Sequence, residues 1–171
     1  MSIHPPLVPI VGSWSLLFGG YQTYLMFKVI GQRVANKVSI GAGEGLVEKA
    51  RAAGKSQAEI DEIEHGVQML VRAIRAHANF TEHVPLALLV LGFAELNGAN
   101  SLYLHSSLAI LLIARYLHAD LTFLNEKNKR AFGPTRTMGV SGTIAVTLIS
   151  AGYSAFLAFQ PAITSAIKSL F

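Results

Sequence analysis

Four polar side chains recur along one face of an apolar segment near the middle of the sequence. Arg72, Arg75, Asn79 and Glu82 follow one another at helical spacing. At about 100° per residue they fall within an arc of roughly 80°, so all four point to the same side of a helix. Because ionisable groups at membrane depth persist only beside protein or water, this stripe predicts a binding site. A structural salt-bridge network at the membrane rim is the alternative.

A second stripe lies further along the chain. Arg115, His118 and Thr122 again share one helical face, and two polar stripes can line one cleft. If Arg115 were absent, His118 would be better interpreted as a histidine whose hydrogen bonds are satisfied inside a helix bundle. Arg33 and Arg136, taken singly, are typical of positively charged anchors at the cytoplasmic rim, and they gain interest only beside these stripes.

The residue types of such a cleft predict its ligand. Several guanidiniums recognise carboxylates in a bidentate manner, and one carboxylate and one amide would complement an ammonium group and a peptide bond. A peptide-like, net anionic molecule such as glutathione fits this set. The chain has no cysteine, so any thiol must come from the ligand. An arginine close to the sulfur would favour the thiolate.

The elements that carry these residues belong to a membrane protein. Apolar residues make up 51% of the chain and charged residues only 14%. No Asp, Glu, Lys or Arg occurs in residues 2–27, 96–114 or 137–167, and each of these runs approaches or exceeds the ~20 residues that cross a bilayer. Three transmembrane helices follow from these runs alone.

A fourth helix follows from topology. Lysines and arginines number five in residues 31–66 and four in residues 125–137, and both loops face the cytoplasm only if the segment between them crosses the membrane. We therefore predict one all-α domain over residues 1–171, with transmembrane helices at about 7–30, 67–96, 101–124 and 138–159. Both termini would be non-cytoplasmic. Ser56 and Glu59 match a capping box that begins a short amphipathic helix before the second span, and the tail after Pro161 is read as another amphipathic piece.

Several stretches resemble one known family. RAHANFTEHVPLALLVLG, residues 75–92, is similar to the second-helix pattern Arg-Ala-x-x-Asn-x-x-Glu-x-x-Pro of the MAPEG superfamily, the membrane-associated proteins in eicosanoid and glutathione metabolism. YQTYLMFKVIGQRVANKVS resembles that family's first helix, and IARYLHADLTFL with GPTRTMG resembles its third helix and the next loop. The resemblance implies a four-transmembrane-helix bundle that assembles as a homotrimer and binds glutathione between subunits near the cytoplasmic face.

The resemblance also implies residue roles. Arg136 would activate the thiol, and Arg130 is a second candidate because the loop over residues 125–135 is longer than in some relatives. Arg72 is added to the residues that would hold glutathione, because it shares a helical face with Arg75, Asn79 and Glu82. The full cofactor-binding set is then Arg33, Arg72, Arg75, Asn79, Glu82, Arg115 and His118.

The function expected from this likeness is a membrane-bound glutathione transferase or peroxidase. It would conjugate or reduce lipophilic electrophiles that arrive from the bilayer, with the active site toward the cytoplasm, and a bacterial inner membrane would suit the chain. The alternative is a non-catalytic lipid-binding or scaffold protein of the same fold. His83 and Thr122 favour the alternative, since they stand where several eukaryotic members carry tyrosines.

Other classes of function receive little support. His77, Glu82 and His83 lack the His-Glu-x-x-His order and do not share a metal-binding face, so no metal is expected. The net charge of +4 reflects the orientation of the loops, and no basic run with interleaved aromatic residues suggests a nucleic-acid partner.

Overall fold

The computed structural model describes residues 7–169, with the Ala166 side chain excepted. Residues 1–6 and 170–171 of the predicted domain lie outside this description. Five α-helices follow one another along the chain: α1 (Pro9–Asn36), α2 (Leu46–Ala52), α3 (Gln57–Leu96), α4 (Ser101–His118) and α5 (Pro134–Lys168). A π-helical segment, Ala119–Phe123, continues α4. The prediction of an all-helical fold is confirmed over the described residues.

Helix α3 begins where the capping box predicts. The backbone N–H of Glu59 donates to the Ser56 hydroxyl, and the Glu59 carboxylate accepts from the backbone N–H of Ser56 at 3.0 Å. The Ser56 hydroxyl also donates to this carboxylate at 2.8 Å, and these hydrogen bonds hold the pKa of Glu59 below its usual range. The predicted short helix and the second span are one continuous helix of 40 residues, because no residue between them interrupts the backbone hydrogen bonds.

Helix α1 is capped by a side chain from a distant part of the chain. Its first turn has no acidic residue and its N-cap, Val8, provides no side-chain acceptor. Instead, the Glu95 carboxylate at the end of α3 accepts from the backbone N–H groups of Ile10 at 2.7 Å and Val11 at 2.9 Å. This carboxylate satisfies two free donors and complements the positive end of the helix dipole.

The long helices pack along their lengths. Helix α3 lies between α1 and α5, and α4 packs against α5. Their contact faces bury a continuous apolar core, which includes Phe18, Leu25, Phe80, Leu91, Leu108 and Leu111. The outward faces expose large apolar side chains, among them Leu16 at 79% and Leu148 at 67%, as expected where lipid is the solvent.

Within residues 7–169, two helical stretches have the length and composition of membrane spans. They are Ser101–Phe123, which joins α4 to the π segment, and Pro134–Ser165 within α5. Helix α5 runs through Pro161 to Lys168, so the predicted separate tail piece is part of this helix. Helix α1 likewise ends at Asn36, six residues beyond the predicted boundary, where Lys37 adopts a left-handed conformation.

Candidate functional site

The polar residues predicted to share one face of α3 have two different structural environments. Arg72 is half-buried and donates to the backbone carbonyls of Asn128, at 2.9 Å, and Lys129. It therefore anchors the loop that leads into α5. Arg75 and Glu82 are exposed on the surface of the single chain, while Asn79 is half-buried and donates to the Arg75 carbonyl at 2.8 Å.

The stripe on α4 is buried. Arg115 is 3% exposed and His118 is 4% exposed. One terminal nitrogen of Arg115 donates to the Gly139 carbonyl on α5 at 2.7 Å. Its Nε and both ring nitrogens of His118 are buried, and within residues 7–169 they lack a hydrogen bond of ordinary length and angle. The backbone of Arg136 interacts weakly with the His118 ring, whereas the Arg115 Nε has no partner in this part of the chain.

Residues from three helices meet around a small cavity of about 50 Å³. Asn79 and His83 come from α3, and Arg115 and His118 come from α4. Helix α5 closes the cavity with Val140, Thr143 and Ile144. The structure therefore brings together three of the predicted cofactor-binding residues, Asn79, Arg115 and His118. Sequence analysis did not include His83 among the cofactor-binding residues, and the structure places it in the cavity wall.

A glycine on α5, Gly139, allows α5 to approach α4 closely beside this cavity. A Cβ added to Gly139 would lie 2.6 Å from the Ala114 carbonyl oxygen and 2.7 Å from Cβ of His118. Such distances are far below an ordinary contact, so α4 and α5 can approach this closely only with glycine at this position. The same close approach brings the Gly139 carbonyl within reach of Arg115. Sequence analysis did not single out Gly139, because its role depends on which helix crosses it.

Arg136 lies beside this cluster at the start of α5. Its guanidinium is 5.2 Å from the centre of the Phe123 ring, and that ring is 5.1 Å from the His118 ring. It is half-buried and donates to the Ala131 carbonyl at 3.3 Å. Arg130, the other candidate for activating the thiol, is exposed on the preceding loop.

Arg33 is not brought to the cavity within one chain. It lies at the end of α1, where it donates to the Ser39 carbonyl at 3.4 Å. Thr122 is fully buried, and its hydroxyl bonds the Leu117 carbonyl and the Thr135 hydroxyl, both at 2.9 Å. Both hydrogen bonds of this hydroxyl are made within the chain.

Sequence analysis missed a polar cluster between α1 and the π-helical segment. The Asp120 carboxylate accepts hydrogen bonds from the phenols of Tyr21 and, at 2.7 Å, Tyr24 on α1. The available signal was that Asp120 is the one acidic residue between Glu95 and Glu126, two positions after His118. Among residues 7–169, no group of three or more His, Cys, Asp or Glu side chains could hold a metal ion.

Two apolar helices and large apolar side chains exposed on the outward faces are typical of a membrane protein. A sequence profile described as "MAPEG family" matches residues 11–156, which is most of the chain. The chain belongs to the MAPEG family, and the resemblance stated above is confirmed.

The curated relatives match only part of the chain. The chain is similar to the inner membrane protein YecN of Escherichia coli strain K12, with 38% identity over 53 residues. It is equally similar to YecN of Escherichia coli O6:H1, strain CFT073. The match covers 31% of this chain and 40% of each relative. No solved structure matches the chain.

Proposed function

We propose that the protein is a membrane-bound glutathione transferase or peroxidase that acts on lipophilic electrophiles. Membership of the MAPEG family supports this class of activity. The observation that carries the proposal is the group of buried polar nitrogens of Arg115 and His118 at a cavity that also holds Asn79. Each buried polar atom without a partner costs about 1–3 kcal/mol, so a ligand that supplied acceptors would recover that cost. A carboxylate of glutathione is such an acceptor.

The size of the cavity supports assembly of the site from more than one chain. A volume of about 50 Å³ is well below the roughly 300 Å³ at which ligand pockets begin. Most of a tripeptide must therefore lie outside this cavity. Arg75 and Glu82 are exposed on the same helix as Asn79, and Arg33 lies on another helix end. We propose that a homotrimer places these residues around one glutathione between neighbouring chains.

The arrangement in the membrane is part of the same proposal. The four long helices α1, α3, α4 and α5 would each cross the bilayer, with both termini non-cytoplasmic and the active site toward the cytoplasm. The loops beside Arg72 and Arg136 carry most of the basic residues. The similar protein from Escherichia coli is named an inner membrane protein, which suits a bacterial inner membrane for this chain as well.

The proposed chemistry uses the sulfur of glutathione as the nucleophile. In conjugation, the thiolate forms a carbon–sulfur bond with the electrophile, and the leaving group departs with its electron pair. In reduction, two glutathione molecules become the disulfide while a lipid hydroperoxide becomes an alcohol and water. Arg136 would favour the thiolate through its positive charge, and the remaining residues would position the tripeptide. The apolar substrate would enter from the bilayer.

Thr122 supports a second candidate function, a non-catalytic lipid-binding or scaffold role. Its hydroxyl is hydrogen-bonded within the chain, and so it is not directed at a ligand. Where relatives present a phenol at this position, this protein presents no free donor. A protein of this kind would keep the fold without binding glutathione.

Equilibrium binding of glutathione to the detergent-solubilised protein distinguishes the two functions. We expect Arg75→Ala and Glu82→Ala each to weaken binding by about 2 kcal/mol or more, roughly thirtyfold, since each removes a charge-assisted interaction from a partly desolvated cleft. Arg51→Ala and Glu62→Ala are matched controls, because both residues are exposed and neither lines the cavity. If the parent binds no glutathione, or if test and control variants bind it equally, the transferase proposal fails.

A further inference from the structure

Asp120 forms an acidic site inside an apolar part of the molecule. It lies in the π segment that follows α4, and its two oxygens accept hydrogen bonds from Tyr21 and Tyr24. The two phenol rings stack with their centres 5.7 Å apart. A carboxylate has about four acceptor positions, so two donors leave further capacity on Asp120.

The negative charge of Asp120 is not neutralised by an ion pair. Within residues 7–169 the ion pair formed at 4 Å or less is Lys55 with Glu59, far along the chain from this site. Arg115 is five residues earlier and interacts electrostatically with Tyr21. Its guanidinium donates its hydrogen bond to the Gly139 carbonyl on α5 and forms no ion pair with Asp120. Phenols stabilise a carboxylate through hydrogen bonds but carry no compensating charge.

The aromatic rings around Asp120 already attract a cation. Lys28, one turn after Tyr24, places its amine 5.3 Å from the centre of the Tyr24 ring. This is the geometry of a cation–π interaction, which strengthens where water is excluded. Tyr116 on α4, one turn before Asp120, interacts electrostatically with Tyr24 and adds a third phenol to this region.

An apolar groove leads to this cluster. It lies between α1 and α4, has a volume of about 560 Å³, and is lined mainly by aliphatic side chains with Tyr21 and Tyr116 among them. Leu17 and Ile113 on its walls are 52% and 58% exposed, so the groove opens on the outward surface of the helices. Gly20 has no atom within 4 Å of where a Cβ would lie, which leaves room at the groove floor. This volume falls within the range of small-molecule sites.

We propose that this groove binds lipophilic cations, with the positive centre beside Asp120 and the phenol rings and the apolar body along the groove. Charge complementarity selects this ligand class, because Asp120 forms no ion pair within residues 7–169 and an acyl chain or a neutral helix would add no positive charge beside it. Ammonium or phosphonium groups that carry apolar substituents satisfy both the carboxylate and the rings. The site is separate from the cavity of Asn79, Arg115 and His118, and it does not depend on the proposed transferase activity.

Tetraphenylphosphonium and tetraphenylborate test the proposal, since they have nearly the same shape and opposite charge. Their binding is measured by equilibrium dialysis with the protein in phosphatidylcholine nanodiscs, after subtraction of the uptake by protein-free nanodiscs. We expect the phosphonium ion to bind at least about tenfold more tightly than the borate ion. Equal binding of the two ions, or no binding of the phosphonium ion because lipid or a second copy covers the groove, would overturn the proposal.

Two variants separate the charge from the groove. Asp120→Asn keeps an acceptor for the phenols and removes the charge, so phosphonium binding should weaken about tenfold or more. Gly20→Leu fills the groove and should weaken binding similarly, whereas Gly12→Leu, also on α1 and in open space, should not. Unchanged glutathione binding would show that each variant is folded, and far-ultraviolet circular dichroism does so independently. Retained phosphonium affinity in a folded Asp120→Asn protein refutes the assignment.

Discussion

Replacement of Gly139 by alanine tests whether the contact between α4 and α5 creates the polar cavity. The new Cβ would lie 2.6 Å from the Ala114 carbonyl oxygen, whereas ordinary contacts begin near 3.4 Å. The two helices must therefore separate locally by about 0.8 Å, since both obstructing atoms lie on or next to the α4 backbone. Neither atom is the end of a flexible side chain that could turn away.

The expected cost follows from three effects. Overpacking of this kind costs about 1–3 kcal/mol. Separation also strains the hydrogen bond from Arg115 to the Gly139 carbonyl, and loss of a bond to a charged group costs about 1.5–3 kcal/mol. Alanine recovers about 1 kcal/mol through its better helix propensity. We expect Gly139→Ala to lower the free energy of unfolding by about 1.5–5 kcal/mol.

Gly152→Ala is the matched control on the same helix. No atom lies within 4 Å of the Cβ that this substitution adds, so only the gain in helix propensity, at most about 1 kcal/mol, should remain. Reversible unfolding in mixed micelles of increasing dodecyl sulfate content, followed by circular dichroism, measures both variants. Equal stability of the two variants would refute the inference that α4 and α5 touch at Gly139. Weaker glutathione binding by Gly139→Ala alone would link this contact to the cavity.

Two further predictions concern side chains at the helix ends. Arg136→Ala should reduce thiolate absorbance of bound glutathione and turnover of an aromatic electrophile at least about tenfold, with affinity changed by less than about tenfold, because a nearby positive charge lowers the thiol pKa. If Arg130→Ala has this effect instead, the activating arginine lies in the loop. Glu95→Gln should destabilise the protein by about 1.5–3 kcal/mol and speed hydrogen exchange at Ile10 and Val11, unlike Glu62→Gln. Unchanged exchange would contradict the capping role.

Local sequence signals predicted much of the helical framework. The capping box at Ser56 and Glu59 needs only residues three apart, and the structure confirms it. Asn100 caps α4 in the same local way, through its side chain and the backbone N–H of Leu102 at 2.8 Å. Helix lengths were less predictable, because the polar start of α3 and the end of α5 beyond Pro161 carry no span signal even though their backbone hydrogen bonds continue.

The sequence pattern did not predict contacts between segments that are distant along the chain. The pairing of Glu95 with Ile10 spans 85 positions, and that of Asp120 with Tyr21 spans 99. Periodicity shows which face of a helix a side chain occupies, but it does not show which other helix lies against that face. The role of Gly139 was not predicted for the same reason. A side chain at this position is excluded only because α4 packs against it, and the sequence pattern does not show that contact.

The arginines of α3 show how a common helical face can hide separate roles. Arg72 and Arg75 lie within one turn, and the sequence pattern assigns both to the ligand. Arg72 instead holds the carbonyls of Asn128 and Lys129, so it fixes the loop that ends at the start of α5 and thereby places Arg136 near Phe123. Arg75 has no such partner within residues 7–169 and remains exposed. Loss of Arg72 should consequently act through the position of the loop and of Arg136. Loss of Arg75 should act directly on ligand binding, and this direct effect alone requires a site assembled from several chains.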